Sequence, residues 1–130
     1  MTYWQTKSKY HNIRQDYGGY NYASKKEANR AFELDMLLKA KEIVRWERQI
    51  TLPLYIMGRH WRDYRIDFIR WEKNKDIVLE EIKGFETDIY KQKRDVLEII
   101  MDNPKSFEYK QIAQKIGAKK NQVILYQVIK

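Results

Sequence analysis

The feature that most constrains this chain is a stretch rich in β-branched and aromatic residues from Ile43 to Lys83, broken twice by short turn signals. Gly58-Arg59 is the first break and Lys73-Asn74-Lys75 the second, which leaves segments 43–57, 61–71 and 76–83. Strand formers separated by short polar turns predict a three-strand antiparallel meander. Upstream, Ser24-Lys25-Lys26-Glu27 is a capping box, in which Ser24 and Glu27 satisfy each other's unpaired backbone donors. It opens a helix expected to reach about residue 41, with Ala28, Ala31, Phe32, Leu34 and Leu38 as its apolar stripe and Glu27 one turn before Ala31 on that stripe. Downstream, Gly84 ends the third strand and Thr87 caps a second helix over residues 88–101, with Ile89, Val96, Leu97 and Ile100 facing inward. Asn103-Pro104 breaks that helix, a short helix is expected over 106–116, and the Val, Ile and Tyr content of 122–129 favours a final strand. Helix, three-strand meander, helix and strand describe an α/β sandwich with a mixed sheet. Residues 1–23 read as a basic, aromatic arm ending in a short strand after Gly18-Gly19, and residues 24–130 as a single domain.

The 130 residues, 43% of them hydrophobic, suffice for one core. With 26 Lys plus Arg against 18 Asp plus Glu, the formal charge of +8 favours a polyanionic partner such as nucleic acid, and an acidic membrane surface would fit the charge equally well. No run approaches a membrane span, and Met1-Thr2-Tyr3-Trp4-Gln5 lacks the apolar core of a signal peptide, so a soluble, cytoplasmic protein is expected. The absence of cysteine excludes disulfides, thiolate zinc sites and a cysteine nucleophile. His11 and His60 are too few and too separated for a histidine metal cage and are expected at the surface. A catalytic metal would therefore rest on carboxylates, which suits magnesium, or manganese.

The chemistry concentrates in Asp67-Phe68 and, after the turn, Ile77-Val78-Leu79-Glu80-Glu81-Ile82-Lys83-Gly84. Side chains two apart on a strand share a face, so Glu81 and Lys83 project with Ile77 and Leu79 while Glu80 points the other way. Two carboxylates on paired strands beside a lysine suit phosphodiester hydrolysis, where a divalent cation stabilises phosphoryl charge and acidifies water that the amine orients. The backbone carbonyl of Ile82 offers a further oxygen ligand. The competing structural readings are a solvated Glu-x-Lys pair and an aspartate that ends a strand.

Asp67, thirteen intervening residues, then Glu81-Ile82-Lys83 resembles the PD-(D/E)XK nuclease superfamily. Ser24-Lys25-Lys26-Glu27-Ala28, Tyr64-Arg65-Ile66-Asp67-Phe68, and Glu80-Glu81-Ile82-Lys83-Gly84-Phe85 with Thr87, Tyr90 and Lys93 are similar, over residues 9–100, to small phage-type nuclease domains related to junction-resolving endonucleases. The resemblance implies a restriction-endonuclease-like fold, metal held by Asp67 and Glu81 with the Ile82 carbonyl, an active-site lysine Lys83, a supporting helix glutamate Glu27, and a 5′-phosphate product. Ile66 stands where the superfamily's naming proline would be, and the last 25 or so residues lie outside the resemblance. Glu27 has its capping role as an alternative. Lys93 either reaches a phosphate or snorkels at the core edge. Gln49 resembles a glutamine at this place in transposase-type nucleases.

Lys25, Lys26, Lys91, Lys93, Lys119 and Lys120 are candidate contacts to nucleic-acid phosphates. The tyrosines of the arm either stack on bases or pack at a domain edge. Such a small domain has little surface for reading sequence, so branched or Holliday-junction DNA is the expected substrate, with a homodimer to supply two cuts. Two rivals remain. A non-catalytic binding module would use Gln111-Ile112-Ala113-Gln114-Lys115-Ile116-Gly117-Ala118 with Val123 and Tyr126 as a helix-turn-helix, making 120–130 helical. A nuclease subunit active only in a larger phage or transposition complex is the other. The strand reading of 122–129 is preferred, since the nuclease fold needs a strand beside residues 76–83.

Overall fold

The computed structural model describes residues 14–130, and the chain divides into two compact units between Glu42 and Ile43. Tyr3, Lys7, Lys9, Tyr10 and His11 of the expected arm lie outside the described residues.

In the first unit, strands β1 (Gln15–Tyr17) and β2 (Tyr20–Tyr22) pair antiparallel across Gly18-Gly19. Both glycines have positive φ (60° and 84°), which a two-residue hairpin with the native twist requires. Helix α1 (Lys25–Lys39) follows, with Ala28, Ala31 and Leu34 buried. Phe32 and Leu38, expected on the same stripe, are exposed. Phe32 instead meets the Tyr17 ring edge-on at 5.9 Å, and the Tyr17 hydroxyl donates to Asp35 Oδ2 at 2.6 Å. With Tyr22 buried, these two tyrosines pack rather than stand out for base stacking. The helix stops at Lys39, two residues before the expected end: Lys41 takes φ 60° and its amide bonds to the Leu38 carbonyl while that of Glu42 bonds to Leu37. That is a Schellman stop made without glycine.

The second unit is a four-stranded mixed sheet in the order β3-β4-β5-β6 with two helices on one face. Strand β3 (Ile43–Ile56) and strand β4 (Arg59–Glu72) form a long hairpin closed by Met57-Gly58, both at positive φ. Strand β5 (Ile77–Ile82) pairs antiparallel to β4 from Trp71↔Ile77 to Phe68↔Glu80. Helices α2 (Asp88–Met101, capped by Thr87) and α3 (Phe107–Lys115, capped by Ser106) then carry the chain back, and strand β6 (Ile124–Ile129) pairs parallel to β5 from Ile77↔Ile124 to Ile82↔Ile129. The final strand is therefore beside β5. The helix-turn-helix reading of 120–130 is overturned: Gly117 sits at φ 70° with the Ala118 amide bonded to the Ala113 carbonyl, so it stops α3 rather than turning into a second helix.

Leu97 and Ile100 of α2 and Ile112 and Ile116 beside them close on Ile69, Ile77, Leu79 and Ile124 of the sheet. Of the inward-facing residues expected in α2, Leu97 and Ile100 are buried, Val96 half-buried and Ile89 exposed. Tyr64 and Ile66 belong to the same core as Ile69. Strict alternation would put Ile66 and Ile69 on opposite faces, so the pleat of β4 reverses phase between them. Opposite this stretch, between Arg48↔Phe68 and Ile50↔Ile66, the β3 residue Gln49 adopts φ 50° with no shift of register.

On the other face Phe68, Val78 and Ile82 are buried, and Glu80 is 0% exposed. A buried carboxylate needs a partner, and Arg70 is ion-paired with it while its Nε lies 2.7 Å from Glu72 Oε1. Arg70→Ala would strand the Glu80 charge and is expected to cost about 3–5 kcal/mol in denaturant unfolding. The double change Arg70→Met with Glu80→Leu is expected to recover most of that loss; equal loss in both variants would show that the pair holds the strand register and does more than neutralise charge.

Candidate active site

Asp67 stands where the β4–β5 ladder ends. Phe68↔Glu80 is the last backbone pair, and beyond it the Asp67 carboxylate takes over as acceptor: the Ile82 amide donates to Asp67 Oδ2 at 2.8 Å. A β4 side chain is thereby anchored to the backbone atom between Glu81 and Lys83. Gln49, with its left-handed backbone, is the β3 residue facing Asp67 in the register, so the phase reversal and the aspartate coincide.

Glu80 and Glu81 separate as alternation demands. Glu80 is buried against Arg70, whereas Glu81 is half-buried on the core face beside Tyr64 and Tyr126. Burial first, and then the negative charge of Glu81, push the Tyr64 hydroxyl above its usual range. Tyr126 is raised by burial as well, with Glu81 adding to the shift and Arg94 opposing it. Both tyrosines thus stay neutral around the carboxylate. Arg94, ion-paired with Glu86 and 3.9 Å from Glu98, brings α2 to the same place. Lys83 is exposed at the end of β5, its amide bonded to the Ile129 carbonyl at 2.8 Å, so β6 fixes its backbone.

Asp67, Glu81, the Ile82 backbone and Lys83 are therefore brought to one end of β5. Lys93 belongs to the same end: its Nζ lies 5.9 Å from the Tyr90 ring, and that ring meets Tyr64 edge-on at 5.9 Å. Lys91 is exposed on the same helix. Lys119 and Lys120 are not there. They precede β6, whose first residue pairs with the first residue of β5, and so lie toward the opposite end. Lys25, Lys26 and Glu27 belong to the first unit, where both lysines are exposed in the first turn of α1. Ser24 Oγ accepts from the Glu27 amide at 3.2 Å as the capping box requires, but Glu27 Oε2 reaches one residue further back than expected and accepts from the Ala23 amide at 3.0 Å. His60 is exposed, 2.7 Å from Asp63 Oδ1.

From the sequence, Tyr126 stands out only as part of the overturned helix-turn-helix, and Arg94 does not stand out. The signal for Tyr126 was its strand alternation, since it pairs with Leu79 and shares the face of Glu81, but this depended on choosing the parallel register with β5. Among the described residues no group of three or more His, Cys, Asp or Glu side chains is placed to hold a metal ion. The donors gathered here are two carboxylates and a backbone carbonyl. All are hard oxygens, the set that suits magnesium, which keeps several waters and needs only one or two carboxylates.

The chain is a small α/β protein with a four-stranded mixed sheet, and Asp67, Glu81 and Lys83 stand at one end of its inner strand β5. The family described as "Protein of unknown function (DUF1064)" matches residues 7–122, and the chain belongs to it. No curated protein and no solved structure matches the chain. No described helix is long and apolar enough to cross a membrane.

The Asp67–Ile82 bond separates acceptor from charge. Asp67→Asn keeps an oxygen acceptor and is expected to leave stability nearly unchanged, while Asp67→Ala leaves the Ile82 amide unmet and is expected to cost about 1–3 kcal/mol in urea unfolding. Equal stability of the two variants would mean that water replaces the bond without cost.

Proposed function

We propose that this protein is a metal-dependent nuclease that hydrolyses DNA phosphodiester bonds, with branched or junction DNA as the preferred substrate. The observation that carries the reading is the hydrogen bond from the Ile82 amide to Asp67 Oδ2, which ties the two acids and the lysine of the sequence motif to one point.

Asp67 and Glu81, with the Ile82 carbonyl, would hold magnesium, and manganese would substitute. The ion's contribution is neutralisation of phosphoryl charge and an increased acidity of water. Lys83, on the same strand and past the last β4–β5 pair, orients the attacking water and offsets charge developing on the phosphate. Tyr64 and Tyr126 restrict the Glu81 carboxylate from the core side, Tyr64 through a side-chain hydrogen bond to it. Asp67 cannot swing away without giving up the Ile82 amide. Such restraint is what positioning catalysis requires. Gln49 is proposed as a residue that shapes the β3 side of Asp67. Lys91 and Lys93 are proposed to contact phosphates flanking the cut. A homodimer would deliver paired cuts on a junction.

The deciding assay is cleavage of supercoiled plasmid and of a synthetic four-way junction in magnesium, manganese or EDTA. Cutting is expected with either metal, to be lost in EDTA, and to fall by at least about 100-fold in Glu81→Ala and in Lys83→Ala. Greater cutting of the junction than of a linear duplex would fix the substrate class. Cutting that persists in EDTA or in both variants would remove this centre from consideration.

A further inference from the structure

A second feature sits at the opposite end of β5. A cleft of about 390 Å³ opens between the start of β3, the β4–β5 turn and the α3–β6 connection, and its lining includes Arg45, Lys73, Lys75 and Lys119. Four cationic side chains from three separate segments would repel one another in an unconstrained chain. Here the backbone holds them together. The Gln122 side chain joins two of the segments, its Nε2 donating to the Lys75 carbonyl at 3.0 Å and its Oε1 accepting from the Lys119 amide at 2.8 Å. Lys75 takes φ 77°, and Asn74 Oδ1 accepts from the Asp76 amide at 2.9 Å, so the turn that presents Lys73 and Lys75 has a defined shape. The Arg45 guanidinium lies 3.7 Å from the centre of the Trp71 ring, which forms one wall of the cleft. The acid in the lining, Glu72, is ion-paired with Arg70 at 2.7 Å, and Arg45 Nε lies 3.5 Å from Glu47, which leaves the three lysines as the surplus charge of the cleft.

We propose that this cleft binds phosphates of a nucleic-acid backbone, as an anchoring site separate from the carboxylate centre. Clustered lysines and a stacked arginine around an open cleft are complementary to closely spaced phosphodiester anions. Holding like charges close is unfavourable until an anion arrives, which is the arrangement expected of a site kept for binding. The geometry also fits one continuous strand. Four residues along β5 separate Ile77 at the cleft end from Glu81, roughly 13 Å at ~3.3 Å per residue. That is about four base-pair steps at ~3.4 Å each. The identification of the polyanion as the nuclease's own substrate rests on the proposed function; binding of a polyphosphate anion in the cleft does not.

The test is fluorescence anisotropy with a labelled DNA duplex in EDTA across a salt series, comparing wild type, the triple variant Lys73→Ala, Lys75→Ala, Lys119→Ala, and the corresponding triple Lys→Arg variant. Loss of three phosphate contacts is expected to flatten the slope of log affinity against log salt by about 2.7 and to lower affinity at least about 10-fold at low salt. The arginine variant is expected to bind as wild type does, which separates charge from any folding defect. Unchanged slope and affinity in the alanine variant would overturn the proposal. So would a pyrophosphate-induced rise in melting temperature that the three alanines abolish while DNA affinity stays the same, because the cleft would then serve a small anion. Plasmid cleavage by the same proteins keeps the two readings apart. Lysine-dependent DNA binding without any cutting would sustain the cleft and remove the nuclease reading, and cutting with lysine-independent binding would do the reverse.

Discussion

Everything described in the second unit depends on β5 being hydrogen-bonded along both edges, antiparallel to β4 and parallel to β6. Double pairing leaves a strand no freedom to slip, because a one-residue shift would exchange every side chain between faces. For β5 that exchange would be costly. It would move Ile77 and Leu79 out of the helix-covered core and bring the wholly buried Glu80 away from Arg70. The register is thus held from both sides, by apolar burial on one face and by an ion pair on the other. Two adjacent glutamates acquire opposite fates from this single constraint: Glu80 becomes structural and Glu81 is left beside Asp67's anchor point.

A regular sheet would not have produced the acid cluster. Uninterrupted alternation through Ile66, Asp67 and Phe68 would have continued the β4–β5 ladder and used backbone carbonyls as acceptors. The left-handed residue Gln49 stands where the long β3–β4 hairpin changes phase, with Tyr64 and Ile66 facing the core above it and Ile69 facing the core below. At the crossover the Asp67 side chain supplies the acceptor for the Ile82 amide. Non-glycine residues in this backbone region carry strain, and such strain persists only where the surroundings enforce it. Here fourteen-residue strands on both sides of the hairpin do so.

The sequence disclosed the elements and the end-of-strand acids because both rest on local signals. Strand-forming runs, the two N-caps at Ser24 and Thr87, and alternation within β5 each involve only a few neighbouring residues, and the structure has all of them. What local signals could not show were features created by pairing. Nothing in Glu47-Arg48-Gln49-Ile50 announces a reversal of phase, since glutamine carries no preference for positive φ comparable to that of glycine. Phe32 and Leu38 fit a helical stripe that proved wider than the buried one, because a period fixes direction but not the extent of what packs there. Gly117 was ambiguous for a related reason: a glycine after an amphipathic helix marks a stop equally well before a second helix and before a strand. The β-branched residues that follow, sealed by pairing with β5, decided between them.

The charge distribution gives the last step. A protein with a formal charge of +8 has no shortage of cations, so their position matters more than their number. Along the six residues of β5 the character changes from lysines and an arginine gathered around Ile77 to carboxylates gathered around Glu81. Two like-charged acids near one end of a strand are unfavourable, and so are four cations near the other. Neither end is relieved by the opposite one, because the intervening strand carries apolar residues over more than a Debye length at physiological salt, about 8 Å. The acidic end has Lys83, Lys93 and Arg94 beside it, and the cleft has Glu47, 3.5 Å from Arg45, and Glu72, so the unmatched charge is the positive charge of the cleft lysines. A polyanion lying along β5 would meet that surplus at the cleft while reaching the carboxylates at the other end, which is why the same strand is the reference for the proposed cutting centre and for the proposed anchoring cleft.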